Sequence, residues 1–155
     1  MMPGAETVSV PARAAPPLLL FRAAGLRFAL PISHAVEILR PLSLDPVPGA
    51  PGFVLGISIV RGLATPVVSL RGLLGAACEE PSRLILLRVG ARRVALAVEG
   101  VEGISPIPGS VFSGAPPLLG RVASGALEAV AALDGELLIV LEAGKLLGEA
   151  PWGAA

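Results

Sequence analysis

The chain has one cysteine, one histidine and no tyrosine, and its 155 residues include only four phenylalanines and one tryptophan. Each scarcity removes a class of function. Cys78, being alone, forms no internal disulfide, which agrees with a reducing compartment. With His34 as the only imidazole, a metal site would need Cys78 or carboxylates to complete it, and Cys78 stands beside Glu79 and Glu80 in a loop-like stretch. Those acids disfavour a thiolate, so a Cys–His nucleophilic pair is a poor reading of the two residues. So few aromatics supply no stacking platform for single-stranded nucleic acid. Twelve Lys and Arg balance twelve Asp and Glu, so no net field attracts a polyanion or an anionic membrane surface.

Long apolar runs are missing as well. Hydrophobic residues make up 54% of the chain, yet nowhere do the roughly 20 uninterrupted apolar residues of a membrane span occur. The longest charge-free stretch, Gly103 to Gly120, contains Pro106, Pro108, Pro116 and Pro117, which exclude a continuous helix. The opening "MMPGAETVSVPARAAPP" lacks the basic start and apolar run of a secretory signal and reads as a disordered tail over residues 1–17. A cytoplasmic protein is expected. "GSVFSG" (Gly109 to Gly114) has P-loop glycine spacing, but Ala115 and Pro116 stand where Lys and Ser or Thr must hold phosphate and magnesium. The pairs Glu99 with Glu102 and Glu79 with Glu80 read as exposed, solvating acids, not as an acid–base couple converging on a pocket. No catalytic residue, metal or cofactor is expected.

What the chain does have is a repeat. "LLLFRAAGLRFALPISHAVEI" (Leu18 to Ile38) lies over "LILLRVGARRVALAVEGVEGI" (Leu84 to Ile104) with small gaps, and "RGLATPVVSLRGLLG" (Arg61 to Gly75) lies over "DGELLIVLEAGKLLG" (Asp134 to Gly148) with none. In each copy apolar runs alternate with tight turns, as in hairpins. Arg61-Gly62 is the tip of one such hairpin, and Pro66, which lacks a donor, is expected at a sheet edge or bulge. The Leu-Leu-Gly endings suit a helical turn stopped by Gly75 or Gly148. About five short strands per unit are too few for a sandwich, but they can close into a small barrel. The expected fold is all-β: two pseudo-symmetric five-stranded barrels over residues 18–149, the first about 18–80 and the second about 81–149, with a short tail at 150–155. Charge is uneven between them: bases predominate up to Cys78 and acids after it.

Three stretches, "LRFALPISHAVEILRPL", "PVPGAPGFVLGISIVRGLATPVVSLRGLLG" and "RVALAVEGVEGI", resemble in order the CheW family of chemotaxis coupling proteins. The resemblance implies two SH3-like barrels and a scaffold linking the cytoplasmic tips of chemoreceptors to a CheA-type histidine kinase through its regulatory domain, with recruitment to receptor arrays. From matching motif positions, Glu37, Arg61 and Gly62 are implied as partner-facing, with Ile32 and Val36 as apolar neighbours. Structural readings stand beside these: Gly62 supplies a positive φ, Ile32 belongs to the core, and Glu37 does whatever its counterpart Glu102 does. The chain departs from the family pattern at Ile59-Val60, where Asn-Leu is usual, and at Ser69 and Glu99, where Asp is usual. If Ile59 faces outward, a partner contact is weakened. The rival readings are a self-associating assembly module and a small-barrel enzyme using His34 or Cys78.

Overall fold

Apolar runs separated by two-residue turns give strands along most of the chain: β1 (Leu18–Ala23), β2 (Leu26–Pro31), β3 (Ala35–Leu39), β4 (Val54–Val60), β5 (Leu63–Ser69), β6 (Arg83–Val89), β7 (Arg92–Val98), β8 (Gly100–Ser105), β9 (Ser113–Gly114), β10 (Leu127–Leu133) and β11 (Glu136–Leu141). Two short helices, α1 (Leu70–Leu73) and α2 (Ala143–Leu147), follow β5 and β11. The computed structural model describes residues 17–77, 80–107, 113–114 and 127–147. Residues 1–16 of the expected N-terminal tail, the C-terminal tail, Cys78, Gly148 and most of Gly109 to Gly114 lie outside them. Ala24-Gly25, Arg61-Gly62 and Asp134-Gly135 turn three hairpins with φ of 53° and 76°, 52° and 79°, and 54° and 78°. Two successive positive φ values define the type I′ turn, whose twist matches that of paired strands. His34 closes a 3-10 turn over Ile32–His34 between β2 and β3.

The strands form two sheets, ordered β8-β1-β2-β11-β10-β9 (sheet I) and β3-β6-β7-β5-β4 (sheet II). This corrects the expected division near residue 80, because both sheets cross it. The β1–β2 hairpin of the first repeat lies in the sheet of the second repeat, and the β6–β7 hairpin of the second lies in the sheet of the first. The exchange is reciprocal down to the register. In sheet II, Val67 of β5 pairs in parallel with Ala95 of β7; in sheet I their counterparts, Val140 of β11 and Ala29 of β2, pair the same way. Even the bridge of Asp45 to Ile57 has its twin in Ser113 and Val130.

Period-2 alternation then sorts the buried residues into three cores. Leu18, Leu20, Ala29, Leu138 and Val140 fill the inside of sheet I. Val67, Leu84, Ala95 and Ala97, with Leu39, Leu44 and Leu55 against them, fill the inside of sheet II. Since Leu39 on edge strand β3 and Leu55 on edge strand β4 meet the same cluster, sheet II is closed into a barrel. The third core is the seam between the sheets: Leu19, Phe21, Phe28 and Leu30 meet Ile85, Leu87, Val94 and Leu96, and Leu70, Ala143 and Leu146 of the helices cap it. Phe21 and Phe28 are directly opposed across β1 and β2, with ring centroids 6.0 Å apart and planes 18° from parallel.

Pro66, expected at an edge or a bulge, lies in β5 between β4 and β7 and not at an edge, but the bulge of the β4–β5 ladder falls beside it, where Val54 and Gly56 face Val68 and Val67. Its missing N–H is tolerated for a local reason. Ile57, its partner on β4, spends both backbone groups on Asp45 (2.9 Å each), so Ile57 and Pro66 are not a hydrogen-bonded pair. On the other side the ladder to β7 starts only at Val67, whereas in sheet I the ladder of β11 with β2 starts at Leu138 and includes Ile139, the counterpart of Pro66. Gly56 (φ 149°) has a second reason to be glycine: a Cβ there would lie 2.7 Å from the Asp45 carbonyl oxygen.

Candidate functional site

Exposed groups gather at the end of each barrel where the strands turn. Arg22 and Arg27 are directly opposed on β1 and β2, and Arg88 and Arg93 occupy the equivalent positions on β6 and β7. Each pair shares the face of its hairpin that lines the barrel, one step beyond the last buried leucine. The two mouths are therefore twins, and their chemistry differs.

At the mouth of sheet I the arginines are neutralised. The Arg22 Nε donates to Glu102 (2.6 Å) and its two terminal nitrogens donate to both oxygens of Glu136 (2.7 and 3.1 Å). The Arg27 Nε donates to the other oxygen of Glu102 (3.0 Å), and its Nη1 donates to the Leu133 carbonyl (3.2 Å) and to Asp134 (3.5 Å). Partial desolvation pushes the Glu102 pKa up, but the hydrogen bonds from Arg22 and Arg27 outweigh it and hold the carboxyl below its ordinary range. Hydrogen bonds from Arg22 lower Glu136 likewise, and the guanidinium of Arg22 is raised chiefly by Glu136 and then Glu102. Glu102 is thus an ion-pair partner, not a merely solvating acid. Glu99 is also engaged: it accepts from the Ala24 N–H (2.7 Å) and from Arg71 (3.0 Å), tying the β1–β2 turn to the end of α1. The uneven charge of the two repeats is used internally, because the exchange of hairpins brings first-repeat arginines against second-repeat acids.

At the mouth of sheet II, Glu37 on β3 pairs with Arg61 at the β4–β5 tip through two hydrogen bonds, one of 3.1 Å from Nε and one from Nη2. The Glu37 hydrogen bond is the main cause of the raised Arg61 pKa. Four of the five residues expected to face a partner therefore come together: Glu37, Arg61, Gly62 beside it in the turn, and Val36, which is 54% exposed at the bulge between Ala35 and Glu37. Ile32 is set apart, half-buried in the 3-10 turn and packed against the seam. No heavy atom lies within 4 Å of a Cβ placed on Gly62, so its positive φ, not space, requires glycine. Sequence reasoning missed how many apolar residues of these strands are exposed. Ile38, Leu63 and Ile59 are exposed, and Ile59, at 66%, is the most exposed large hydrophobic residue described. The alternation of β4, with Val60 buried and Ile59 out, was the available signal.

Ser69 is a different case from Ile59. It is buried, and its hydroxyl accepts from the Gly72 N–H (2.9 Å) as the N-cap of α1. Ser and Asp are near-equivalent caps. This departure keeps a structural contact and removes no partner-facing charge.

A shallow cleft between Ala23, Ser69, Arg71, Glu80, Pro81 and Ala97 to Glu99 includes neither His34 nor an unengaged Glu99. Among the described residues no three His, Cys, Asp or Glu side chains group as metal ligands, and no helix is long and apolar enough to cross a membrane.

Two fused barrels with a rim of paired charge and exposed apolar side chains define a protein-interaction module. A family model described as the CheW-like domain matches residues 17–150, and the chain belongs to that family. It is similar to the chemotaxis protein CheW of Rhizobium meliloti strain 1021, with 27% identity over 128 residues, covering 81% of this chain and 83% of that one. Similarity to the protein FrzA of Myxococcus xanthus is 33% over 132 residues, covering 82% of each. The fold matches the crystal structure of the scaffolding protein TtCheW from Thermoanaerobacter tengcongensis, with a TM-score of 0.73 at 24% identity, over 82% of this chain and 88% of that one. The chain is accordingly a non-enzymatic chemotaxis coupling adaptor.

Proposed function

We propose that this adaptor works in the cytoplasm, recruited to receptor arrays, and holds the tip of a chemoreceptor together with the regulatory domain of a CheA-type histidine kinase. The rim of sheet II is the contact surface in this reading, with Val36, Glu37, Arg61 and Gly62 presented to the partner and Ile32 set back in the seam. The observation that carries it is the Glu37–Arg61 pair at an exposed hairpin tip, with Val36 exposed next to Glu37 on β3 and Leu63 exposed next to Gly62. A surface ion pair contributes little to folding. Exposed apolar side chains next to such a pair are what a partner covers. Mixing the full chain with a receptor cytoplasmic fragment and with the kinase regulatory domain tests the reading. Binding of at least one, weakened by Arg61→Glu, is expected. Absence of binding to both, with the protein self-associating instead, overturns it in favour of an assembly module.

A further inference from the structure

The twin mouths differ in a way that points to what the partner carries. At the mouth of sheet I, three carboxylates face two guanidiniums. At the mouth of sheet II the counterparts of Asp134 and Glu136 are Arg61 and Leu63, so one carboxylate, Glu37, faces three guanidiniums and is itself held by Arg61. Arg88 and Arg93 are left directly opposed on β6 and β7. Among the described residues Arg88 donates only to the Gly90 carbonyl (3.1 Å), and Arg93 only to the Val60 carbonyl at 3.5 Å, the counterpart of the bond from Arg27 to the Leu133 carbonyl. Like charges opposed across strands are unfavourable. Here, among the described residues, no acid relieves them.

We propose that the mouth of sheet II is a receptor for carboxylates of a protein partner: an acidic segment places two side chains on Arg88 and Arg93, where Glu136 and Asp134 sit in the twin, beside an apolar residue on Leu63. The twin within the same molecule shows that opposed arginines in this geometry are completed by carboxylates. Leu63, exposed where the twin has Glu136, suits an acidic polypeptide that carries an apolar side chain, whereas a single-stranded nucleic acid would call for stacking on aromatics, and none is among the exposed large hydrophobic residues described. The inference rests on the adaptor reading only for which protein supplies the acids.

The test has two arms. In the first, the arginine Nε–H resonances of the full chain are followed while a peptide of alternating Glu and Leu is added, with a Gln-and-Leu peptide and inorganic phosphate as controls. Saturable shifts at Arg88 and Arg93, absent at Arg22 and Arg27, absent with both controls and lost in Leu63→Glu, are expected. Leu63 is exposed, so this variant supplies the missing carboxylate without disturbing the core. No shift, equal shifts at all four arginines, or equal shifts with phosphate overturn the carboxylate site. In the second arm, receptor fragment and kinase domain are titrated into wild type and Leu63→Glu at two salt concentrations. A loss of about tenfold or more for one of them, with a shallower salt dependence, is expected from removing charge-assisted contacts. If wild type binds a fragment and Leu63→Glu binds it equally, the site fails and the adaptor reading stands. If wild type binds neither while the peptide shifts persist, the adaptor reading fails and the site stands.

Discussion

Truncating Phe28 to alanine should unfold both sheets together, although Phe28 belongs to sheet I alone. Its ring is fully buried in the seam, stacked on Phe21 and packed with residues that reach across to Ile85, Leu87 and Val94 of sheet II. Removing a buried phenylalanine side chain costs about 3–5 kcal/mol, of which the lost ring pair supplies roughly 0.5–1.5 kcal/mol. A domain of this kind holds only about 5–15 kcal/mol in all. With a urea m-value of about 2 kcal/mol/M, the midpoint should fall by around 2 M. Hydrogen exchange in the β5–β7 ladder of sheet II and in the β2–β11 ladder of sheet I should lose the same free energy, since the β1–β2 and β6–β7 hairpins bind the two sheets into one cooperative unit. Phe28→Leu, which refills most of the space, should recover most of the midpoint. Unchanged protection in the β5–β7 ladder, with protection lost only in sheet I, would falsify the single-unit argument.

Glu102 and Glu136 are held below their ordinary pKa of 4.5 in the fold, so their contribution is complete above that value and is lost as pH falls through the folded value. Calorimetry from pH 7 to pH 3 should show Glu102→Gln melting below wild type at pH 7 and the gap closing on the acid side; a constant gap refutes the linkage. Arg61→Glu should leave thermal unfolding nearly unchanged, because the group is exposed, while weakening receptor or kinase binding; a large fall in melting temperature would instead make Arg61 structural. Ile59→Asn should strengthen binding to one of those two partners, the kinase domain being favoured. An amide restored opposite an unpaired partner group recovers roughly 1–3 kcal/mol, up to about a hundredfold in affinity. Isothermal titration with no gain for either partner means that no such group faces Ile59.

The repeat, the hairpins and the Arg61-Gly62 turn were legible because each is local: a glycine in a two-residue turn, an alternation over a few residues, a Leu-Leu-Gly ending. The exchange of hairpins was not. Strands such as Leu84 to Leu87 are buried on both faces, one lining the barrel and one the seam. An unbroken apolar run states that a strand is covered, and it does not state which sheet receives it. For the same reason Pro66 was placed at an edge or a bulge without a choice between them: its neighbours on both sides depend on which sheet receives the strand. The ion-pair network was hidden by distance along the chain, since Arg22 and Glu102 are 80 residues apart and Arg27 and Glu102 are 75 apart. Glu37 and Arg61 came as partner-facing candidates from motif positions, but nothing in the sequence joined them to each other.

Burial explains why the two halves agree where they do and disagree where they do. In the seam Leu19, Leu30 and Leu141 have apolar counterparts in Ile85, Leu96 and Val68, all excluded from water. Each contributes a few kcal/mol through transfer and packing, so substitution there is confined to other apolar side chains. At the mouths the same register holds, yet Asp134 faces Arg61 and Glu136 faces Leu63 in the alignment of the repeats. Exposed charges contribute little to folding, so the rims were free to part company without loss of the fold. What freedom alone does not explain is the composition of the rim of sheet II, where an opposed arginine pair has a third arginine and a leucine at the positions that hold acids in the twin. A rim shaped only by stability would keep the acids, as the other rim does. A rim that must remain incomplete until a second molecule closes it would lose them.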